Sequence, residues 1–286
     1  MQQPFLRNLW QHWAFLRPQI ALQGVIYAVI GMYLSGVTTP GLNALQALAL
    51  FVLALIIAFG FVSNDYADVE IDRLTKPERF LPSGAVSLDA ARWMGLILIG
   101  LIGVLASRLP FPLSGIAYLN LALTAAYSFW LKRTVLLGNI TIVLLNSSVL
   151  LYGAFIGNGP NAVLGSVSLI VALYTLAQEL LYTVDDHVGD RQAGIITSAI
   201  YFGPQRTREI VIVLLVFASL SSMLPLLLGL ASFLYIGLLL PCMLIPIFGW
   251  IVPLVRQGDA AQISTACQRM KWVRMWSLVP LLVLPL

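Results

Sequence analysis

The chain has 286 residues, 59% of them hydrophobic and 10% charged, with a net charge of +4 and a mean hydropathy of +0.91. Soluble domains carry roughly 25% charged residues, so this much apolar surface has to be dissolved in lipid, and a water-soluble fold is excluded. The positive charge calls for no nucleic-acid partner, because a membrane surface rich in anionic lipid accounts for it.

In chain order, residues 5–13 (FLRNLWQHW) read as a short interfacial helix with aromatic anchors. Nine apolar runs follow, near 18–37, 43–62, 91–109, 111–130, 135–157, 161–183, 208–226, 228–255 and 271–286. A helix needs roughly 20 apolar residues to cross the hydrocarbon. The first run starts after Arg17-Pro18 and lacks a small-residue cleavage site, so it reads as a crossing and not as a signal peptide. Run eight holds Pro241, Pro246 and Pro253 and is expected to kink or tilt. The expected fold class is all-α integral membrane, with nine transmembrane helices in a single bundle and one domain over residues 1–286.

Charge sets the orientation. With the N-terminus on the cytoplasmic side, Arg108 is the one basic residue of 16 that falls outside. The excess of Lys and Arg on one side is the positive-inside signature. All 12 acidic residues share that side, so the chemistry is expected at the cytoplasmic face. Cys242 falls in an apolar run and Cys267 in a polar loop, and their spacing suggests neither a metal site nor a disulfide framework.

Two polar segments stand out there. After run two comes Asn64-Asp65-Tyr66-Ala67-Asp68-Val69-Glu70-Ile71-Asp72-Arg73, followed by Leu81-Pro82-Ser83-Gly84. If the helix continues past Phe61, Asp65, Asp68 and Asp72 fall at i, i+3 and i+7, three carboxylates on one face. Such a set repels itself unless something positive joins it, and hard divalent ions take oxygen ligands. After run six, Asp186 and Asp190 fall at i and i+4, with Glu179 two turns back on the same side and Asp185 about 100° away. The spacing excludes an EF-hand.

These residues carry a likeness. Asn64-Asp65-x-x-Asp68-x-x-x-Asp72 with Leu81-Pro82-Ser83-Gly84 resembles the first signature of the UbiA family of intramembrane prenyltransferases. Asp186-x-x-Gly189-Asp190-Arg191-x-x-Gly194 resembles the second, and Tyr127-Ser128-x-x-Leu131-Lys132-Arg133 a motif after the fourth span. The resemblance implies a helical bundle around a central cavity, open to lipid and capped by the two aspartate loops. It implies Mg2+ on Asp65, Asp68, Asp72, Asp186 and Asp190, and transfer of a prenyl group from a prenyl diphosphate to a lipophilic acceptor, expected to be aromatic, with chlorophyll-type alcohols, glycerophosphate ethers and haem also used within the family. Two positions depart from the pattern: Tyr182 stands where an acidic or basic residue is common, and Phe80 where proline is.

The mechanism expected on that basis has magnesium stabilising the departing diphosphate as a Lewis acid. Asn64, Arg73, Lys132 and Arg191 are candidates to bind the diphosphate. Tyr127, one turn from Lys132, is the first choice to steady the allylic cation, with Phe129, Trp130, Tyr152, Phe155, Tyr174 and Tyr182 as further aromatics. Asn146, Ser147 and Ser148 are candidates for the acceptor. The partners expected are substrate, acceptor and membrane lipid, with no obligate protein partner. Two rival readings are a terpene cyclase of the same fold and a secondary transporter, the latter disfavoured because both carboxylate clusters end their spans.

Overall fold

The computed structural model describes residues 2–37, 41–192 and 194–284, with side chains from residue 8 onward within them. Every regular element among the described residues is helical. Seven stretches there are long and apolar enough to cross a membrane: Asn8–Leu34, Ala44–Ala67, Leu88–Ala106, Leu137–Ile156, Ala162–Asp185, Pro204–Leu227 and Phe233–Gln257. The run expected near 111–130 forms a shorter apolar helix, Leu113–Phe129. The chain is an integral membrane protein.

The helices sort into two compact units, Met1–Val29 with Thr39–Lys132, and Ile30–Thr38 with Arg133–Leu286. The first unit contains α1 (Gln2–Phe15), most of α2 (Pro18–Leu34), α3 (Ala44–Ala67), α4 (Val69–Thr75), α5 (Leu88–Ala106) and α6 (Leu113–Phe129). Leu9, Trp10 and Trp13 of α1 are exposed, as an interfacial helix requires. A capping box between Asn43 and Gln46 starts α3, satisfying two backbone donors that the first turn leaves free. From there Ala49, Val52, Leu53, Ile56, Phe59 and Val62 recur at helical spacing and are buried, in a helix that packs on α5 and α6. In lipid the apolar side chains gain little from hiding, so close contact between small residues matters more. A Cβ at Gly60 would lie 3.1 Å from Thr124, and the Ser63 and Ser128 hydroxyls are 2.9 Å apart.

The second unit takes the end of α2 and then α7 (Leu137–Ile156), α8 (Ala162–Asp185), α9 (His187–Gln192), α10 (Ser198–Phe202), α11 (Pro204–Ser221), α12 (Leu224–Leu227), α13 (Phe233–Leu239), α14 (Val252–Gln257) and α15 (Ala260–Trp276). Its hub is α8, which packs on α7, α11 and α15. Gly31 of α2 lies against the backbone of Leu150, where any side chain would collide.

One boundary changes in this unit. The proline-rich eighth run departs from regular α-helix, in keeping with its three prolines. It winds through π-helical turns at Leu240–Leu244 and Ile247–Ile251 before α14, a wider winding that takes in proline's missing N–H and its ring. The last helix begins at Ala260, not near 271, because Asp259 and Gln262 form a capping box around that first turn. It ends at Trp276, ahead of a 3-10 turn over Pro280–Val283. The end of the expected last run, residues 285–286, lies outside the described residues.

Candidate active site

The first acidic motif is built by a helix that bends without stopping. Asp68 leaves α-helical geometry (φ −100°, ψ 1°), yet its N–H donates to the Asn64 carbonyl at 3.0 Å. The N–H of Asp72 then donates to the Asp68 carbonyl at 2.8 Å. The i to i−4 ladder therefore crosses the junction of α3 and α4, and the sequence spacing of Asp65, Asp68 and Asp72 becomes the helical spacing expected. Beyond α4, Gly84 closes the loop with φ +75°, a left-handed conformation open to glycine at little cost.

Each carboxylate meets its own cation. Nη2 of Arg17 donates to both oxygens of Asp65, at 2.6 and 2.9 Å. Arg79 donates to Asp72 at 2.7 Å and stands 3.8 Å from Asp65. Nζ of Lys132 is 2.6 Å from Asp68 and donates to Oδ1 of Asn64 at 3.1 Å. The aspartates at the two ends are nearly enclosed, with side chains 5% and 6% exposed, against 20% for Asp68. Arg17 holds a left-handed backbone (φ 51°) at the break between α1 and α2. A non-glycine residue there costs about 1–3 kcal/mol. Its grip on Asp65 and its guanidinium 4.6 Å above the Phe61 ring offset that strain.

This arrangement reorders the expected roles. Lys132 and Asn64 stand together at Asp68. Arg73 instead pairs with Glu70 of its own helix at 2.7 Å, both of them exposed. Arg17, noted in the sequence at the start of the first run, and Arg79, one of its positive-inside charges, are the arginines on the aspartates. The signals that could have found them are the Arg17-Pro18 break at the start of a span and the step of seven residues from Asp72 to Arg79.

The second acidic motif repeats the backbone device. Asp186 also sits near ψ zero (φ −87°, ψ −2°) at the end of α8. Its N–H donates to the Tyr182 carbonyl, and the Asp190 N–H to the Asp186 carbonyl, both at 2.9 Å. Gly194, at φ +68°, turns the chain after α9, and the N–H of Ile195 returns to the Asp190 carbonyl. The side chains here differ: Asp186 and Arg191 are exposed and Asp190 is half-buried.

No group of three His, Cys, Asp or Glu side chains close enough to share one ion exists among the described residues. In the first motif the reason is visible, since the three carboxylates turn toward three different cations. The donor set nonetheless fits a hard divalent ion, being made of carboxylate oxygens and the Asn64 amide oxygen alone.

The remaining candidates divide. Tyr127 is half-buried on α6, whereas Phe129 and Trp130 beside it are exposed. Tyr152 and Tyr174 are buried, and Tyr174 donates to the Met270 carbonyl at 2.8 Å, which ties α8 to α15. Of the polar trio on α7, Ser148 bonds back to the Leu145 carbonyl and the Ser147 hydroxyl is buried with no partner among the described residues. Gln178 bridges Tyr182 (3.0 Å) and Arg274 (3.3 Å).

An all-helical membrane protein with carboxylates at the ends of two spans, one set already matched to three cations, is equipped to handle a polyanionic head on an apolar tail. Residues 24–278 match the UbiA prenyltransferase family. A digeranylgeranylglyceryl phosphate synthase of Natronomonas pharaonis is 34% identical over 230 residues, 80% of this chain and 82% of that one. Another from Halobacterium salinarum (strain ATCC 29341) is 33% identical over 79% of this chain and 81% of its own. A solved structure concerning digeranylgeranylglyceryl phosphate synthase in membranes superposes with a TM-score of 0.77 at 27% identity, covering 96% of this chain and 98% of that one. The fold is also that of a UbiA homologue from Archaeoglobus fulgidus bound to GPP and Mg2+, with a TM-score of 0.69 at 18% identity over 95% and 99% of the chains. The chain belongs to the UbiA prenyltransferase family, and it is a prenyltransferase.

Proposed function

We propose that this enzyme transfers a prenyl group from a prenyl diphosphate, with magnesium, to the free hydroxyl of a glyceryl phosphate that already carries one prenyl chain. The observation that carries the donor half is the match of Asp65, Asp68 and Asp72 to Arg17, Arg79 and Lys132. Carboxylates and cations of equal number form a site that is neutral in itself and divides its labour when a metal diphosphate arrives. The carboxylates hold the ion while the guanidinium and ammonium groups turn to phosphate oxygens. Asp186 and Asp190 are assigned to magnesium as well, Arg191 to the diphosphate and Tyr127 to the allylic cation. Magnesium, when bound, supplies the Lewis acidity that stabilises charge on the departing diphosphate.

The acceptor half rests on the relatives. Several proteins about a third identical to this chain are named for making digeranylgeranylglyceryl phosphate. That name describes two geranylgeranyl chains on one glyceryl phosphate, so the last chain is added to an alcohol. This reading takes the glycerophosphate acceptor from among those the family resemblance left open, in place of an aromatic one. It also takes the chain as one domain of nine crossings, in which the short α6 and the C-terminal α15 complete the seven long stretches. Its N-terminus and both acidic motifs are cytoplasmic, in line with the positive-inside count.

The test is product analysis by mass spectrometry. Purified enzyme in lipid nanodiscs receives geranylgeranyl diphosphate, magnesium and either geranylgeranylglyceryl phosphate or a panel of phenolic acids. The expected product is the diether phosphate, lost on chelation of magnesium. A prenylated phenol would overturn the acceptor, and a cyclic hydrocarbon formed without acceptor would turn the reading to a cyclase. If no mixture released diphosphate in a magnesium-dependent way, the whole reading would fall.

A further inference from the structure

One ionisable group in the second unit is left unused by the reading above. Glu179 lies inside α8, seven residues before Asp186. Seven steps of 100° fall 20° short of two full turns, so Glu179 and Asp186 share a face, separated by about 10 Å along the axis. Gln178 and Leu180 on either side are 1% and 2% exposed, yet Glu179 itself is half-buried. Its carboxylate accepts no hydrogen bond and closes no ion pair among the described residues.

The surroundings are organised. Arg274 of α15 is near enough to act on Glu179 electrostatically. It is fixed by its bond to Gln178, which in turn donates to the Tyr182 hydroxyl. Lys271, one turn before Arg274, stands 5.5 Å from the Tyr182 ring centroid. An acidic side chain well inside a membrane helix is costly and is retained where it serves a pathway or a reaction. This one lies within electrostatic reach of Arg274 and has both carboxylate oxygens without a hydrogen bond among the described residues.

Prenyl transfer needs such a group. When the acceptor oxygen attacks C1 of the prenyl chain, the C–O bond to diphosphate breaks and its electron pair leaves with the diphosphate. The new ether oxygen still carries the acceptor's proton. That proton has to reach a base.

We propose that the Glu179 carboxylate is the general base that removes the acceptor's proton as the new bond forms, passing it afterwards to water at the cytoplasmic surface. Arg274, held by its bond to Gln178, acts on it electrostatically from α15. The inference rests on the transfer reading, though not on which acceptor is used, since a phenolic ring also sheds a proton on prenylation.

The experiment compares wild type, Glu179→Gln and Glu179→Asp in nanodiscs with geranylgeranyl diphosphate, magnesium and geranylgeranylglyceryl phosphate. Released diphosphate and ether product are counted in the same reaction, so their ratio is independent of how much enzyme is folded. Glu179→Gln should lower ether formation about a hundredfold or more, the range over which a positioned base acts. Diphosphate release should fall far less, with geranylgeraniol from capture by water replacing the ether. Glu179→Asp should recover part of the ether yield. Equal ether per diphosphate in Glu179→Gln and wild type overturns the assignment. So does a loss of diphosphate release as deep as the loss of ether, which marks a structural role. If wild type releases diphosphate but prenylates neither geranylgeranylglyceryl phosphate nor a phenolic acid, the transfer reading falls and takes this inference with it.

Discussion

The two acidic motifs share a backbone and differ in everything attached to it. In each, a long helix reaches an aspartate with ψ near zero, keeps its i to i−4 bonds through it and continues into a short helix. At the first, Arg17, Arg79 and Lys132 arrive from three other segments and neutralise the carboxylates. At the second, Asp186 is exposed and takes no ion pair among the described residues. A helical run of carboxylates is thus only a scaffold. The first motif has its carboxylates already paired with cations, whereas Asp186 of the second stands open.

The largest effect should come from removing a carboxylate of either motif. Asp68→Ala and Asp186→Ala are each expected to cut magnesium-dependent diphosphate release by roughly a hundredfold to a thousandfold, the scale of a lost electrostatic stabiliser. Steady-state kinetics across a magnesium titration would check this. If one variant lost activity and the other kept it, the functional equivalence of the motifs would be broken.

Removing a cation should separate the motifs. Arg79→Ala leaves Asp72 enclosed without its partner and weakens the hold on Asp65. With Arg79 itself 31% exposed, the loss is expected at about 1–3 kcal/mol, below the full cost of stripping a buried pair. Thermal unfolding in detergent reads it as a lowered Tm. Arg191→Ala at the second motif, where the side chain is exposed, should leave Tm unchanged and weaken only the KM for the diphosphate. Equal loss of Tm in both would erase the distinction drawn between the sites.

A helix shared by both units offers a third contrast. A Cβ at Gly24 of α2 would meet the flexible end of the Ile57 side chain, whereas one at Gly31 would meet the Leu150 backbone. Gly31→Ala is expected to cost about 1–3 kcal/mol through overpacking, and Gly24→Ala much less, measured by the same unfolding assay. The smallest effect is reserved for Arg73→Ala. Its exposed i, i+3 pair with Glu70 is worth about 0.2–0.5 kcal/mol, and activity should stay near that of wild type. A large loss of activity would restore Arg73 to the diphosphate site.

Composition and spacing decided a great deal by themselves. A mean hydropathy of +0.91 forces the chain into lipid, and there unpaired backbone groups are so costly that helices or closed barrels are the available solutions. The spacing of Asp65, Asp68 and Asp72 became real geometry because the helix continued through Asp68, a property carried by consecutive residues. The location of Arg17 and Arg79 was decided elsewhere. Arg17 is 48 residues from Asp65, and it is the bend between α1 and α2 that brings its guanidinium there. No local rule distinguishes it from Arg73, which lies nearer in sequence and pairs with Glu70. The same holds for Glu179 and Arg274, placed beside each other by the packing of α8 on α15. Periodicity within a helix is written in the order of residues, but which charges meet across helices depends on how the chain returns on itself, and only the tertiary structure fixes that.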